Sequence, residues 1–116
     1  MADGLSTHDA LGFWQATCID LVRDDDVDLS LRQMAILLTI YLETPPHTVR
    51  GLAAKLGVTK PVVTRALNAL GARQLVERRR DTTDRRNVLV QRTLQGALYL
   101  DRLADTIRRQ GDGFTR

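Results

Sequence analysis

The side chains with the clearest chemical potential lie on one face of a helix predicted to start near residue 60. This outward face carries cationic, hydroxyl and amide groups at helical spacing: Lys60, Thr64, Arg65 and Asn68. The opposite face is apolar, with residues at i, i+3, i+4 and i+7: Val63, Ala66, Leu67 and Leu70. Groups of the first kind bind base edges and phosphates, so the outward face has the chemistry of a nucleic-acid contact.

A second short helix precedes this one across a tight turn. Its apolar face again follows the i, i+3, i+4, i+7 pattern: Val49, Leu52, Ala53 and Leu56. Gly57 comes next, where a left-handed residue ends a helix without a side-chain clash. We expect the Thr59 hydroxyl to cap the following helix and Pro61 to lie in its first turn, where a missing N–H does no harm. This order predicts a helix-turn-helix, with an ordinary helical hairpin as the alternative.

Charge is distributed unevenly along the 116 residues, although the formal net charge is only +3. Residues 1–46 contain 2 basic and 8 acidic side chains, whereas residues 47–92 contain 11 basic and 3 acidic ones. The basic block coincides with the predicted helix-turn-helix and the segment after it, as expected of a surface that meets phosphates. A solvated charged face is the alternative, but such faces usually mix signs.

Composition favours a folded domain without membrane segments. Hydrophobic residues make up 43% and charged residues 27% of the chain, which argues against disorder. No apolar run approaches the roughly 20 residues that span a bilayer. The N-terminus lacks the basic stretch and apolar core of a secretory signal. With one cysteine and therefore no internal disulfide, we expect a cytoplasmic protein with no membrane partner.

Other kinds of chemical site are not indicated. His8 and His47 are single and far apart, so no zinc site is expected. Cys18 falls on an apolar stripe of the helix predicted from about Thr7, together with Leu11, Trp14, Leu21 and Val22. No base lies near this thiol in sequence, which favours a buried structural thiol over a reactive one. An acidic run lacks the glycine and closing Glu of a calcium loop and is predicted to be exposed: Asp24, Asp25, Asp26 and Asp28. We therefore expect no enzymatic activity, no metal and no cofactor.

The remaining elements predict a mainly α fold with a small β-hairpin wing. One helix is predicted from about Thr7 to Arg23, and another from Leu31 to about Glu43, with Ser30 as its cap. Residues 75–78 and 88–91 are short β-like runs joined by the basic loop RRDTTDRRN. A last helix starts at Thr93. The apolar stripes of the second and last helices are predicted to include Leu31, Leu42, Leu94 and Ile107.

This order of elements is a winged helix-turn-helix, and the chain resembles the MarR family of bacterial transcriptional regulators. The segment LSLRQMAILLTIYL carries part of the resemblance, and the helix-turn-helix segment TVRGLAAKLGVTKPVVTRALNAL carries more. A short signature follows: LVERR, a spacer, DRR, an apolar strand, and a T-x-x-G helix start at Thr93 and Gly96. The resemblance covers about Leu29 to Leu103.

The resemblance implies dimeric binding to double-stranded DNA, with the second helix of the motif in the major groove and the wing in the neighbouring minor groove. The matching recognition positions are Thr59, Lys60, Pro61, Thr64, Arg65 and Asn68. In the wing, Asp84 corresponds to a buttress, and Arg86 to the side chain that enters the minor groove. A guanidinium suits the negative potential of a narrow minor groove, and a carboxylate can hold it by a bidentate pair. The other wing arginines, Arg79, Arg80 and Arg85, are expected DNA contacts.

We expect one winged helix-turn-helix domain over residues 1–116, with a core at about 29–92. Family members are usually longer and dimerise through terminal helices; here the helices at about 7–23 and 93–110 are the expected homodimer contacts. Their apolar side chains include Phe13, Trp14, Leu100 and Ile107, although Trp14 fits core packing equally well. The predicted function is a sequence-specific, repressor-type regulator on an inverted repeat. The alternatives are a protein-interaction module, such as an antirepressor or complex subunit, and a ligand- or redox-responsive regulator whose small-molecule effector is unknown.

Overall fold

The computed structural model describes residues 4–24 and 27–112. The chain separates into two compact units: a core unit, Leu29–Tyr99, and a terminal unit made of the segment up to Asp28 and the segment from Leu100 onward. The elements are α1 (Thr7–Arg23), α2 (Leu31–Leu42), β1 (His47–Thr48), α3 (Val49–Leu56), α4 (Lys60–Ala72), β2 (Val76–Arg80), β3 (Val88–Arg92) and α5 (Leu94–Gly111). The predicted mainly α, winged helix-turn-helix fold is confirmed. Within the described ranges, no helix is long and apolar enough to cross a membrane.

Helix α2 begins at a complete capping box and crosses the centre of the core unit. The Ser30 hydroxyl accepts a hydrogen bond from the Gln33 amide, and the Gln33 side chain accepts one from the Ser30 amide. Three consecutive-turn residues are fully buried: Ile36, Leu37 and Ile40. The predicted buried stripe is wrong at its ends, since Leu31 is 75% and Leu42 77% exposed. In a helix that is apolar on nearly every side, periodicity does not select the face that meets the core.

The turn between α3 and α4 follows from its glycine. Gly57 adopts a left-handed conformation with φ 69°, and the Val58 amide donates to the Ala53 carbonyl. Thr59 occupies the N-cap position of α4 with an extended backbone, and Pro61 lies in the first turn, as predicted. The predicted hydroxyl cap is wrong, because the Thr59 side chain makes no capping hydrogen bond. Thr59 is exposed, so water can satisfy the groups that the cap would have joined.

The sheet has three antiparallel strands in the order β1-β3-β2. Strands β2 and β3 form the predicted wing hairpin, in a register that pairs Val76 with Arg92 and Arg80 with Val88. Arg79 and Arg80 therefore lie in β2, and the wing loop is limited to residues 81–87. Strand β1 was not predicted. It has two residues, pairs His47 with Val90, and depends on contact with β3.

In the terminal unit, polar contacts join α1 to the C-terminal half of α5. Asp20 Oδ2 accepts a hydrogen bond of 2.7 Å from Gln110 Nε2 and lies 3.7 Å from Arg109 Nη2. Thr17 is buried, and its hydroxyl donates to the Phe13 carbonyl at 2.8 Å. The predicted apolar stripe of α1 is largely exposed, with side chains that include Leu11, Trp14 and Val22.

Two further predictions concern the terminal helices. Cys18 is a half-buried free thiol, whereas the sequence predicts a buried one. The buried α5 side chains are Tyr99 and Leu103, whereas Leu94 and Ile107, both on the predicted apolar stripe, are exposed. Two members of the predicted acidic run, at positions 25 and 26, lie outside the described residues. In the described part of the chain, no group of three or more His, Cys, Asp or Glu side chains is placed to hold a metal ion.

Candidate nucleic-acid interface

Helix α4 presents its predicted polar face away from the core. The four apolar residues predicted for the other face are buried: Val63, Ala66, Leu67 and Leu70. Of the predicted recognition positions, Thr64 is half-buried and the others are exposed: Thr59, Lys60, Pro61, Arg65 and Asn68. Burial of one face therefore fixes which side chains the helix offers to a partner. Neither Lys60 nor Arg65 takes part in an ion pair with another described residue.

A tight connection fixes the position of α4 relative to the wing. The Leu75 amide donates to the Leu70 carbonyl at 3.0 Å, and the Gln74 amide donates to the Gly71 carbonyl at 2.9 Å. Gln74 has a positive φ of 62°, which turns the chain from the helix into β2. Val76, the first residue of that strand, is buried. The recognition face and the wing are thus held by consecutive hydrogen bonds in one short segment.

The wing loop is closed by its own hydrogen bonds. Asp81 Oδ1 accepts from the Thr83 hydroxyl at 2.8 Å and from the Thr83 amide at 3.0 Å. These two bonds favour the charged carboxylate and lower the pKa of Asp81 below its ordinary value. The Asp81 amide donates to the Asn87 carbonyl, and the Asn87 amide donates to the Asp84 carbonyl. The loop is therefore shaped before any partner binds.

Asp84 holds Arg86, but through one oxygen only. Asp84 Oδ1 accepts from the Arg86 amide at 3.1 Å and from Arg86 Nε at 3.2 Å. The expected bidentate pair is thus replaced by a bond to the backbone and a bond to one guanidinium nitrogen. Because the Arg86 side chain is 88% exposed, its outer nitrogens project from the wing.

The other predicted wing arginines are also exposed: Arg79, Arg80 and Arg85. Arg79 Nη2 lies 3.3 Å from Glu77 Oε1 within the same strand. Arg80 Nη1 donates to the Arg85 carbonyl, which links the end of β2 to the loop. Because these cations are exposed, an external anion can reach them. Their local contacts can be exchanged for it, since exposed pairs of this kind contribute little to stability.

A groove of about 210 Å³ lies between the wing and the starts of α3 and α4. Its lining is Thr48, Val49, Arg50, Lys60, Thr64, Arg86, Asn87 and Val88. Lys60 and Thr64 lie on α4, and Arg86 lies on the wing, up to 26 positions further along the chain. The groove brings these three side chains together. It does not include Arg65, Asn68 or Arg79.

Sequence reasoning missed Arg50 and Thr48 as groove residues. Thr48 is the N-cap of α3, where its hydroxyl oxygen accepts from the Gly51 amide at 2.9 Å. Arg50 lies in the first turn of that helix and is exposed. Its position in the basic block is the available signal in the sequence, whereas the apolar periodicity of α3 predicts only the opposite, buried face.

Comparisons with known proteins agree with this geometry. A profile described as MarR family matches residues 29–88. A search of curated protein sequences found no match. Among solved structures, a mutant of MepR from S. aureus has a TM-score of 0.76 at 20% identity, covering 90% of this chain and 75% of that one; at this identity the likeness shows the fold alone.

Two solved structures are more similar in sequence. A cysteine-to-serine mutant of MarR from E. coli, complexed with operator DNA, has a TM-score of 0.63 at 29% identity, covering 69% of this chain and 56% of that one. The transcriptional regulator BldR from Sulfolobus solfataricus has a TM-score of 0.63 at 26% identity, covering 95% and 85%. Regulators of this kind are generally not enzymes. The profile spans more than half of the chain, and the winged helix-turn-helix carries an exposed basic face: the chain belongs to the MarR family and is a DNA-binding transcriptional regulator.

Proposed function

We propose that this regulator is a repressor-type homodimer that binds an inverted repeat in double-stranded DNA. In this arrangement α4 enters the major groove and the wing enters the neighbouring minor groove. The observation that carries the proposal is the shared groove, in which Lys60 and Thr64 of α4 lie beside Arg86 of the wing. One continuous surface can therefore contact both grooves of the duplex at once.

The proposed roles follow from exposure and chemistry. Thr64, Arg65 and Asn68 face base edges in the major groove, where each base pair presents a distinct donor and acceptor pattern. Thr59 and Pro61 bring the start of α4 to the duplex. Arg86, oriented by Asp84, enters the minor groove, where a guanidinium meets an enhanced negative potential. Four further cations contact phosphates: Lys60, Arg79, Arg80 and Arg85.

The proposed homodimer uses the two terminal helices. Apolar side chains with large exposed fractions lie on both: Leu11, Trp14, Val22 and Ile107. Exposed apolar surface of this kind is typical of an interface. A two-fold dimer places two recognition helices in opposite orientations, so its operator is an inverted repeat. The E. coli MarR structure with operator DNA supports the DNA part of the proposal, although this chain spans 56% of that protein.

Selection of binding sites from random duplexes, followed by footprinting, tests the proposal. We expect two related half-sites in inverted orientation, with centres about one helical turn or a multiple of it apart. Sedimentation of the free protein at micromolar concentration should give the mass of a dimer, and occupancy of a promoter should lower transcription in vitro. The sedimentation mass of a monomer would contradict the proposed homodimer. Failure to enrich any duplex would favour the protein-interaction alternative, in which the wing contacts another protein.

A further inference from the structure

We propose that the groove between α3, α4 and the wing holds one phosphate of the DNA backbone, and that Arg50 is a phosphate-binding residue in it. This inference rests on the proposed function, since it takes the major-groove position of α4 and the minor-groove position of the wing as given. Arg50 is assigned no role by the resemblance or by the sequence pattern, and it is set in the groove by the fold alone.

The geometry of the duplex indicates which part of the DNA lies in the groove. Adjacent major and minor grooves are separated by one sugar-phosphate strand, so a protein that fills both must leave a passage for that strand. Lys60 marks the α4 side of the groove and Arg86 marks the wing side. The space between them is therefore where the intervening strand passes.

The charged side chains that line the groove are all positive. Three cationic side chains line it, Arg50, Lys60 and Arg86, and no carboxylate is among the lining residues. Arg86 is bonded to Asp84, whereas Arg50 and Lys60 have no ion pair with another described residue. Like charges that share a concave surface repel one another until an anion enters, and a concave surface also concentrates their field.

The groove also contains hydrogen-bond donors that suit phosphate oxygens. The Thr48 hydroxyl oxygen accepts from the Gly51 amide, which leaves its hydrogen available as a donor. The Arg50 guanidinium is planar and carries several donors in a fixed fork that matches phosphate oxygens. Threonine and arginine are common phosphate contacts in protein–DNA complexes. The groove therefore offers a charged and a neutral donor to the same phosphate.

The test is the salt dependence of binding to the selected operator, measured for the wild type and Arg50→Gln. Glutamine keeps a polar side chain and removes the charge. Loss of one phosphate contact should lower the slope of log K against log[salt] by about 0.9 without changing the preferred sequence. Arg32→Gln is the matched control: Arg32 is exposed, lies on α2 and does not line the groove, so its slope should equal that of the wild type.

Neutral methylphosphonates, introduced at one phosphate at a time, identify the position. The wild type should lose affinity when the phosphate between the two contacted grooves is neutralised. Arg50→Gln should lose clearly less on the same replacement, because only Thr48 and the other groove cations remain to contact that phosphate. Arg50→Lys should retain the wild-type slope. If the wild type binds the operator but Arg50→Gln keeps its slope and its sensitivity at that phosphate, this inference is wrong and the proposed function stands. If the wild type selects no duplex, the proposed function itself fails.

Discussion

Gly96 lies against the side chain of Tyr41, so closely that a Cβ at this position would overlap the Tyr41 hydroxyl and come within 2.7 Å of its Cζ. The Leu75 carbonyl blocks the same space. The Thr93 amide donates to the Tyr41 hydroxyl at 2.9 Å, and that hydroxyl lies 2.9 Å from the Leu75 carbonyl oxygen, to which it can donate. Helix α2, the connection between α4 and β2, and the start of α5 therefore meet at a position that only glycine fits.

Gly96→Ala should destabilise the protein. The added methyl group meets backbone and a tightly bonded ring, so it forces a shift that costs about 1–3 kcal/mol or more in the free energy of unfolding. Urea denaturation measures the change. Gly12→Ala is the control, because Gly12 lies inside α1 with open space around it; alanine there should stabilise by up to about 1 kcal/mol. Equal stability of Gly96→Ala and wild type would show that α5 can move away from Tyr41.

Thr93→Val should also destabilise, for a different reason. The Thr93 hydroxyl donates to the Gln74 carbonyl at 2.7 Å and accepts from the Gly96 amide at 3.0 Å. Valine has nearly the same shape but makes neither bond, so we expect a loss of roughly 1–3 kcal/mol in the free energy of unfolding. Thr93→Ser keeps the hydroxyl and should remain close to wild type in the same denaturation experiment. A loss in Thr93→Ser without a loss in Thr93→Val would instead assign the stability to packing of the methyl group, which valine keeps and serine lacks.

Local signals were sufficient to predict most helix boundaries. The bounds of α1 agree with the prediction, and Ser30 caps α2, because caps and apolar periodicity act within one or two turns. Gly96 illustrates the opposite case. Its place in a T-x-x-G motif was visible, but the reason for glycine is Tyr41, more than 50 positions earlier in the chain. Strand β1 was missed for the same reason, since two residues carry no periodicity and pairing with β3 defines them.

In the candidate site, too, local features could be predicted from the sequence, and features that depend on distant contacts could not. Periodicity predicted the exposed face of α4, because burial of Val63 and Leu67 turns Arg65 outward. The groove could not be predicted, since it exists only where α3, α4 and the wing approach one another. The predicted capping bond of Thr59 is absent, because the residue type favours a cap but does not fix the direction of the hydroxyl.

Thr83→Ala should raise the pKa of Asp81 towards its ordinary value. The Thr83 hydroxyl is the largest contribution to the lowered pKa, followed by the Thr83 amide. A pKa that is lower in the folded than in the unfolded state contributes stability above the unfolded pKa, and this contribution is lost as pH falls through the folded pKa. The pKa of Asp81 in the wild type and the variant is measured from the carboxyl NMR chemical shift of Asp81 over the acidic pH range. Thr82→Ala is the control, because Thr82 is exposed and is not among the hydrogen-bond partners of Asp81, which are Thr83, Asp84 and Asn87.

Cys18→Ser should leave DNA affinity unchanged. Cys18 is a half-buried free thiol in the middle of α1, away from the positive end of the helix dipole that favours a reactive thiolate. Peroxide should therefore not release the wild type from its operator. The measurement is a gel-shift titration before and after peroxide treatment. Release that occurs in the wild type and disappears in Cys18→Ser would establish a redox-responsive regulator.

Arg65→Ala and Arg86→Ala should weaken DNA binding in different ways. Arg65 is exposed on α4, and loss of a base contact in the major groove should cost about 1–3 kcal/mol and relax preference at particular base pairs. Arg86 projects from the wing, tied to Asp84 at 3.2 Å. The minor groove distinguishes mainly A·T from G·C, so loss of Arg86 should reduce affinity and A·T preference beside the core half-site.

Binding-site selection and salt titration on both variants, with Arg79→Ala as the comparison, separate these effects. Arg79 is exposed on β2 and paired only locally with Glu77, so its loss should remove a phosphate contact. The slope of log K against log[salt] should then fall by about 0.9 while the selected sequence stays the same. Relaxed preference in Arg65→Ala, altered flanking preference in Arg86→Ala and an unchanged consensus in Arg79→Ala would together assign the two grooves. Wild-type binding by all three would mean that this surface does not face DNA, and a protein partner would be the remaining explanation for its charge.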